Sequence, residues 1–529
     1  MKRLRYLLSG LTLFLACASP VAAENVLRWA SPGGAATFDP HAYDETPTYA
    51  QLAQVYEGLV GLDSNLAPAP RLATTWRLVD PTTWEFELRP NVRFHGGTPF
   101  TAEDVVFSLA RAKTELSPAV GVAHYLESVA ETIAVDPDTV RVVTSYPNPE
   151  LPLQLRGIYV MSARWAEEHD ARAPANVSAG EENFASRHAD GTGAFILKEF
   201  QPNGPAVMVR NPDWWGFERY PHNIDRIEYR PIAAADERLA ALQGGKLDLL
   251  IAPPLSALHR IKSTSGLKLG QATALRTTYL ALDQASPELR SSNIRGENPF
   301  GDKRVRQAIY QAIDIKTIVK EIMQGLAVPA AMLVTPGVNG YGPELDQRLA
   351  YDPKAAKALL ASAGYPDGFS VMLDCPKDSS ATNAEAICQA VAAQLDGVGI
   401  EVLVNARPKD VIYAKIDNRE SDFYLDSWGT LESQDVFVNL YRTNAGLNGA
   451  GYSHPRVDAL IEQTGREIIT YGRDALIEEV WRTVLDDIPY IPLHHQVVVW
   501  TMRDHLDLPV NPTNVPLFRE ARLRPAKVN

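Results

Sequence analysis

Cysteine is scarce: three occur in 529 residues. A chain of this length builds a core large enough to need no disulfide scaffold, and at roughly 150 residues per domain it holds about two to four domains. Positive charge is also short. Lys and Arg total 51 against 64 Asp and Glu, a formal charge of −13. An acidic chain with no basic block has little to offer a phosphate backbone, so nucleic acid is excluded as a partner. Past the N-terminal segment there is no run of 18 apolar residues, which argues for a soluble mature protein. The signatures of common enzymes are missing too. There is no Walker phosphate loop, no dinucleotide fingerprint after a strand, no HExxH and no GxSxG. Apolar residues make up 45% and charged residues 22%, ordinary proportions that exclude wholesale disorder and low complexity.

What is present begins with a processing signal over residues 1–23. Lys2, Arg3 and Arg5 precede a mostly apolar Leu7 to Ala18, and Val21-Ala22-Ala23 supplies small side chains before Glu24. That is the layout of a secretory leader. Its removal takes the charge from −13 to −16 and leaves two cysteines, Cys375 and Cys388. Cys17 offers a rival reading, a lipoprotein anchor, but Phe14 and Leu15 fit a lipobox badly. An even pair of cysteines in an oxidising compartment suggests one disulfide; two buried thiols are the alternative. Two cysteines alone make no metal site, because zinc wants three or four ligands.

The periodicity is that of a mixed α/β chain. Trp84-Glu85-Phe86-Glu87-Leu88 alternates as a half-buried strand. Thr101, with Asp104 three residues on, opens a helix striped by Val105, Val106, Leu109 and Ala110. Residues 224–232, 236–243 and 247–251 read as strand, helix and strand, which implies a parallel pair with a right-handed crossover. Asp302 and Asp352 cap later helices, and Gly325 and Gly364 end them. The stretch 369–428 reads β-α-β-α-β, the unit of an open doubly wound sheet. Two separate α/β sheets are therefore expected, one in each half.

Ligands of such sheets bind beyond the carboxyl ends of the strands. In the second half those ends fall at Asp374-Cys375, Ala406-Arg407 and Ser427-Trp428-Gly429; in the first half, at Ile232-Ala233 and Ile251-Ala252. Facing rims would form a cleft. Arg407 is either a ligand clamp or a surface ion-pair partner, and Trp428 either a pocket wall or core. His494 and His495 point to opposite strand faces and cannot easily share a metal; the plain expectation is one packed and one exposed.

Seven short pieces then carry a resemblance: Thr37-Phe38-Asp39-Pro40-His41, Val55-Tyr56-Glu57-Gly58-Leu59, the run Phe94 to Val105, Gly191-Thr192-Gly193-Ala194-Phe195, Asn211-Pro212-Asp213-Trp214-Trp215, Asp302 to Ile309 and Gly364-Tyr365-Pro366-Asp367-Gly368. In this order, over about residues 25–500, the chain resembles the extracytoplasmic solute-binding proteins of ABC importers, the peptide/nickel family (family 5). The resemblance implies an α/β, two-lobed periplasmic-binding-protein fold with a hinge and an extra subdomain inserted in lobe 1. Lobe 1 would comprise 24–60, 191–275 and a return over 496–529, with the insertion at 61–190 and lobe 2 at 276–495. It implies a periplasmic monomer that hands a small solute to the ABC permease membrane subunits, with no cofactor, no metal and no catalysis.

Family peptide binders often carry an aspartate three residues after the tryptophan of the second-lobe loop, where it meets the ligand's α-ammonium; here that position is Leu431, followed by Glu432. The loss tilts the solute from an ordinary peptide toward a non-peptide such as an opine or sugar conjugate. The candidate ligand-binding residues are Phe38, Tyr43, Tyr279, Arg407, Trp428, Gly429, Glu432 and Asp435. Aromatics would enclose the solute, Arg407 would meet an anion, and Glu432 or Asp435 a cation. Tyr43 stands near where nickel-chelate binders place a pocket tyrosine, so a metal-chelate solute is the alternative. A periplasmic hydrolase is the rival from another class.

Overall fold

The computed structural model describes residues 24–114 and 121–525. The leader and Cys17 lie outside the described residues. Among those described, no helix is long and apolar enough to cross a membrane.

The β-α-β-α-β unit of the second half forms as its periodicity requires. Strands Phe369–Pro376, Ile400–Arg407 and Phe423–Gly429 alternate with helices Ala384–Asp396 and Lys409–Asp417. Phe369–Pro376 pairs in parallel with both other strands. Ile387, Val391 and Leu395 bury one stripe of the first helix against Val371 and Leu373. Cys375 and Cys388 are joined as a disulfide, tying the first strand's end to the helix that follows it.

In the first half, Arg226–Tyr229 and Leu249–Ile251 flank helix Ala235–Gln243. They are not the directly paired neighbours that the strand-helix-strand pattern implies. Val26–Ala30 lies between them and pairs in parallel with each. A short crossover thus spans one intervening strand, which local periodicity does not register.

The expectation of two separate sheets also needs correction. One hydrogen-bonded ladder runs from Ile400–Arg407 through to Phe195–Phe200. Two long strands, Leu267–Leu282 and Tyr490–Arg503, belong to both halves and pair antiparallel along their lengths. The cores nonetheless stay distinct. Leu280 and Leu282 face a cluster with Val371 and Ile491, while Tyr279 and Ala281 face the opposite cluster around Phe437 and Trp481. Toward the other end, Trp500 and Met502 join Leu27, Trp29 and Ile227. Between these regions the register slips. Thr273 pairs with Val497 and Thr277 with His495, so the first strand carries two extra residues there.

Residues 73–144 carry a four-stranded antiparallel sheet with its own core, built on Phe86, Leu88, Val105, Leu109, Val140 and Val142. Asp104 accepts the Thr101 backbone N–H at 2.9 Å, the expected helix start. Glu85, on the nominally wet face of its strand, is 4% exposed because Arg77 and Arg141 cover it from the neighbouring strands.

His494 and His495 are both fully buried, against the expectation of one exposed. Their strand is covered on both faces. His495 bonds Thr277 Oγ1 at 2.8 Å and Asp346 Oδ2 at 3.0 Å. Among the described residues His494 has no hydrogen-bond partner on either ring nitrogen, and burial drives its pKa down to about 3, so it stays neutral.

Candidate functional site

The motif pieces of the first half converge on one another. Gly191 lies against the end of helix Thr46–Val55, where a side-chain carbon would sit 2.0 Å from the Val55 carbonyl oxygen. Glu57 accepts from Thr192 Oγ1 at 3.0 Å, Trp215 Nε1 at 2.7 Å and Trp214 Nε1 at 3.4 Å. Asp39 accepts two hydrogen bonds from Arg111, at 2.7 and 2.6 Å, with both side chains fully buried. Phe38 is likewise fully buried, edge-on to Phe200 at 4.6 Å.

The cleft lies elsewhere, where the second half meets residues 124–156. A cavity of about 1240 Å³ is bounded on one side by Tyr125, Asn148, Gln154 and Arg156 and on the other by the loop Trp428 to Asp435 and by Arg442 and Arg473. An adjoining cavity of about 530 Å³ runs under it along Arg276, Val497 to Val499 and Ala252. Tyr125, Arg156, Gly429, Thr430 and Leu431 line both. The walls touch at one edge. Glu150 accepts from Asn339 at 3.0 Å and pairs with Arg473, and Leu431 packs with Leu66 and Leu153.

The loop after strand Phe423–Gly429 is built by its own hydrogen bonds. Asp435 accepts from Trp428 Nε1 and from Asn439 Nδ2, each at 2.9 Å, which fixes the indole against the following helical turn. Thr430 Oγ1 bridges the backbone N–H and carbonyl of Glu432. Burial pushes Glu432 up to about 8, reinforced by nearby Asp435 and only partly opposed by Arg156 and Gln154. Near neutral pH this carboxyl is therefore largely protonated and gives no full counter-charge for a cation. Asp426, three residues before the end of the strand, is raised by burial to about 6 and accepts from Tyr413 at 3.2 Å. Arg276 donates to the Ser427 carbonyl at 3.2 Å. Arg156 lines every cavity described so far, yet among the described residues it has no ion pair and its guanidinium donates no hydrogen bond.

Of the eight residues proposed from sequence, Trp428, Gly429, Glu432 and Asp435 line the large cavity. Four do not. Phe38 and Tyr279 are core residues; Tyr279 stands edge-on to Tyr490 at 5.4 Å and is 1% exposed. Arg407 is exposed and reaches only its neighbour Asn405, because its edge strand ends away from the cleft. Tyr43 bonds Glu45 at 3.1 Å, while its neighbour Asp44 is the one that reaches the smaller cavity. Sequence reasoning missed Tyr125, Gln154, Arg156 and Arg276. The first three precede no recognisable strand end, and only the polar interruptions Gln154 and Arg156 in an otherwise apolar 151–161 marked them.

Comparison with known proteins agrees with this architecture. The family description "Bacterial extracellular solute-binding proteins, family 5 Middle" matches residues 67–449. The glutathione-binding protein GsiB of Escherichia coli O6:K15:H31 is 25% identical over 505 residues, covering 92% of this chain and 91% of its own. Heme-binding protein A of Haemophilus influenzae is 27% identical over 487 residues, covering 87% and 85%. The structure of HbpA2 from Haemophilus parasuis superposes with a TM-score of 0.81 at 22% identity, covering 94% of this chain and all of that one. With the match spanning well over half its length, this chain belongs to the bacterial extracellular solute-binding proteins, family 5.

Proposed function

We propose that this protein, the substrate-binding component of an ABC importer, captures a small organic solute in the cleft between its halves and delivers it, unaltered, to the membrane permease from the periplasm. Residues 24–60, 191–275 and 496–529 act as lobe 1, with 61–190 inserted in it, and 276–495 act as lobe 2. The working unit is the monomer. The supporting observation is one cavity of about 1240 Å³ whose walls come from both sides, Tyr125 to Arg156 opposite Trp428 to Asp435. A solute seated there touches both walls only when they approach, so its binding free energy favours the closed arrangement.

The solute class follows from what the loop offers. At the position where family peptide binders often place an aspartate stands Leu431, which is spent on the contact with Leu66 and Leu153. Glu432 is mostly neutral near pH 7. From Glu432 an enclosed α-ammonium would draw no full counter-charge, which is costly, and would have to rely on Asp435, bound to Trp428 and Asn439, or on acids farther along the walls. This favours a non-peptide solute, or a peptide held by other groups, and relatives named for glutathione and heme fit that breadth. Native mass spectrometry of protein purified without refolding tests the reading. A bound small molecule should appear in the wild type and be lost or depleted in Trp428→Ala. A wild type that never carries one, and shows no compaction in solution scattering with any supplied solute mixture, would sink it.

A further inference from the structure

A third cavity, of about 490 Å³, opens beside the cleft within the first half. It meets the smaller cleft cavity at Tyr49, Arg156, Pro512 and Thr513, which line both. Its distinctive feature is arginine. Arg71, Arg156, Arg219 and Arg519 all line it. Three of their guanidinium carbons converge on one ring: Arg71 at 5.5 Å, Arg219 at 5.4 Å and Arg519 at 5.7 Å from the Tyr220 centroid. An aromatic face attracts one cation; it does not neutralise three that also repel one another.

Three carboxylates on the wall, Glu57, Asp63 and Glu520, offset part of this charge, Glu57 and Glu520 acting on Arg519, but none makes a direct hydrogen bond to these guanidiniums. Glu57 is held by Thr192, Trp214 and Trp215. Asp63 accepts the backbone N–H groups of Asn65 and Ala67 at 2.8 and 2.9 Å. Glu520 comes no nearer to Arg519 than 3.8 Å. Arg519 Nε is buried without a hydrogen-bond partner, and Arg71 spends its donors on Tyr220 and on the carbonyls of Leu62 and Pro70. Buried polar groups in folded proteins are almost always satisfied, and buried charges are paired. A guanidinium left open toward a cavity is suited to a planar or tetrahedral oxyanion.

We infer that this arginine-lined chamber is the subsite for an anionic group, carboxylate or phosphate, of the captured solute, with Arg156 at its mouth and Arg519 at its wall. The inference rests on the transport reading above and narrows its solute to one bearing such a group.

The deciding experiment is isothermal titration of the purified full chain with inorganic phosphate and, separately, with succinate. One saturable site is expected for at least one probe, and which probe binds tells phosphate from carboxylate. Arg219→Ala and Arg519→Gln should each weaken it by about tenfold or more, and Arg407→Ala should leave it unchanged. Arg219 is exposed, so its variant should keep the wild-type melting temperature, which is measured alongside. If neither probe saturates, or both chamber variants bind as tightly as wild type, the inference is overturned. The two readings fail separately. A protein that carries a solute by mass spectrometry but binds neither probe keeps the transport reading and loses the chamber. A protein that binds a probe through Arg219 but never carries a solute keeps the anion site and loses transport.

Discussion

Arg111 and Arg519 are both withdrawn from solvent in the first half of the molecule, and they differ in what surrounds them. Arg111 meets Asp39 with two hydrogen bonds, gives others to the Ala171 and Ala173 carbonyls, and lies 3.1 Å from His41 Nδ1. Arg519 has an unpartnered Nε, a carboxylate 3.8 Å away and an open cavity in front of it. The first arrangement is complete and has no capacity for a guest. The second is incomplete in a way that a guest would complete. Satisfaction, rather than burial or charge, separates a structural arginine from a binding one.

The same contrast holds for acids. Burial opposes ionisation of Asp39, but hydrogen bonds and charge from Arg111 outweigh it and hold its pKa below the ordinary 3.8. Glu432 has no such partner and is pushed up to about 8.

The comparison is open to attack at four points. Asp39→Ala should be the most damaging, because it strands the Arg111 charge: a loss of about 3–5 kcal/mol is expected, read by chemical denaturation, and a loss under about 1 kcal/mol would make the pair dispensable. The acids should next show opposite pH dependence. Stability from Asp39 is present above 3.8 and is lost as pH falls through its lower folded value. Stability linked to Glu432 is full below its ordinary 4.5 and declines as pH rises toward about 8. Glu432→Gln should therefore flatten the unfolding free energy across that window, by at most about 5 kcal/mol; a variant with the wild-type slope contradicts the assignment. Third, Arg519→Met should leave the ligand-free protein as stable or raise it by about 1 kcal/mol, opposite in sign to Arg111→Met. A drop in melting temperature comparable to that of Arg111→Met would erase the distinction. Smallest of all, Arg407→Ala should shift stability by less than about 0.5 kcal/mol and leave solute retention intact.

Sequence periodicity reached the scaffold further than the site. The unit over 369–429 was legible because each strand and helix declares itself by its own spacing, and the end of its last strand led to Trp428 and Asp435. The same rule left Arg407 outside the cavity, because which strand becomes the edge is decided by pairing, not by any one strand's residues. Phe38 and Tyr279 lie off the cavity for another reason. Motif residues and crossing strands draw attention, yet here the motifs hold Asp39 to Arg111 and Glu57 to Trp215, and Tyr279 fills a core. The arginine chamber was invisible from sequence, since Arg71, Arg156, Arg219 and Arg519 are brought together only by the fold.

The slip between Thr273 and Thr277 is followed at once by a second between Thr278 and Tyr279, in a pair of strands that stays bonded on either side of both. Strands bonded on both sides of such a slip resist sliding and tearing, while the two unmatched residues let the ribbon flex. A joint of this kind would favour turning of the halves about the ribbon, like a book on its spine, over sliding of one past the other. Under the transport reading, the gap between the covers is then the coordinate a membrane partner would measure to tell an empty book from a filled one.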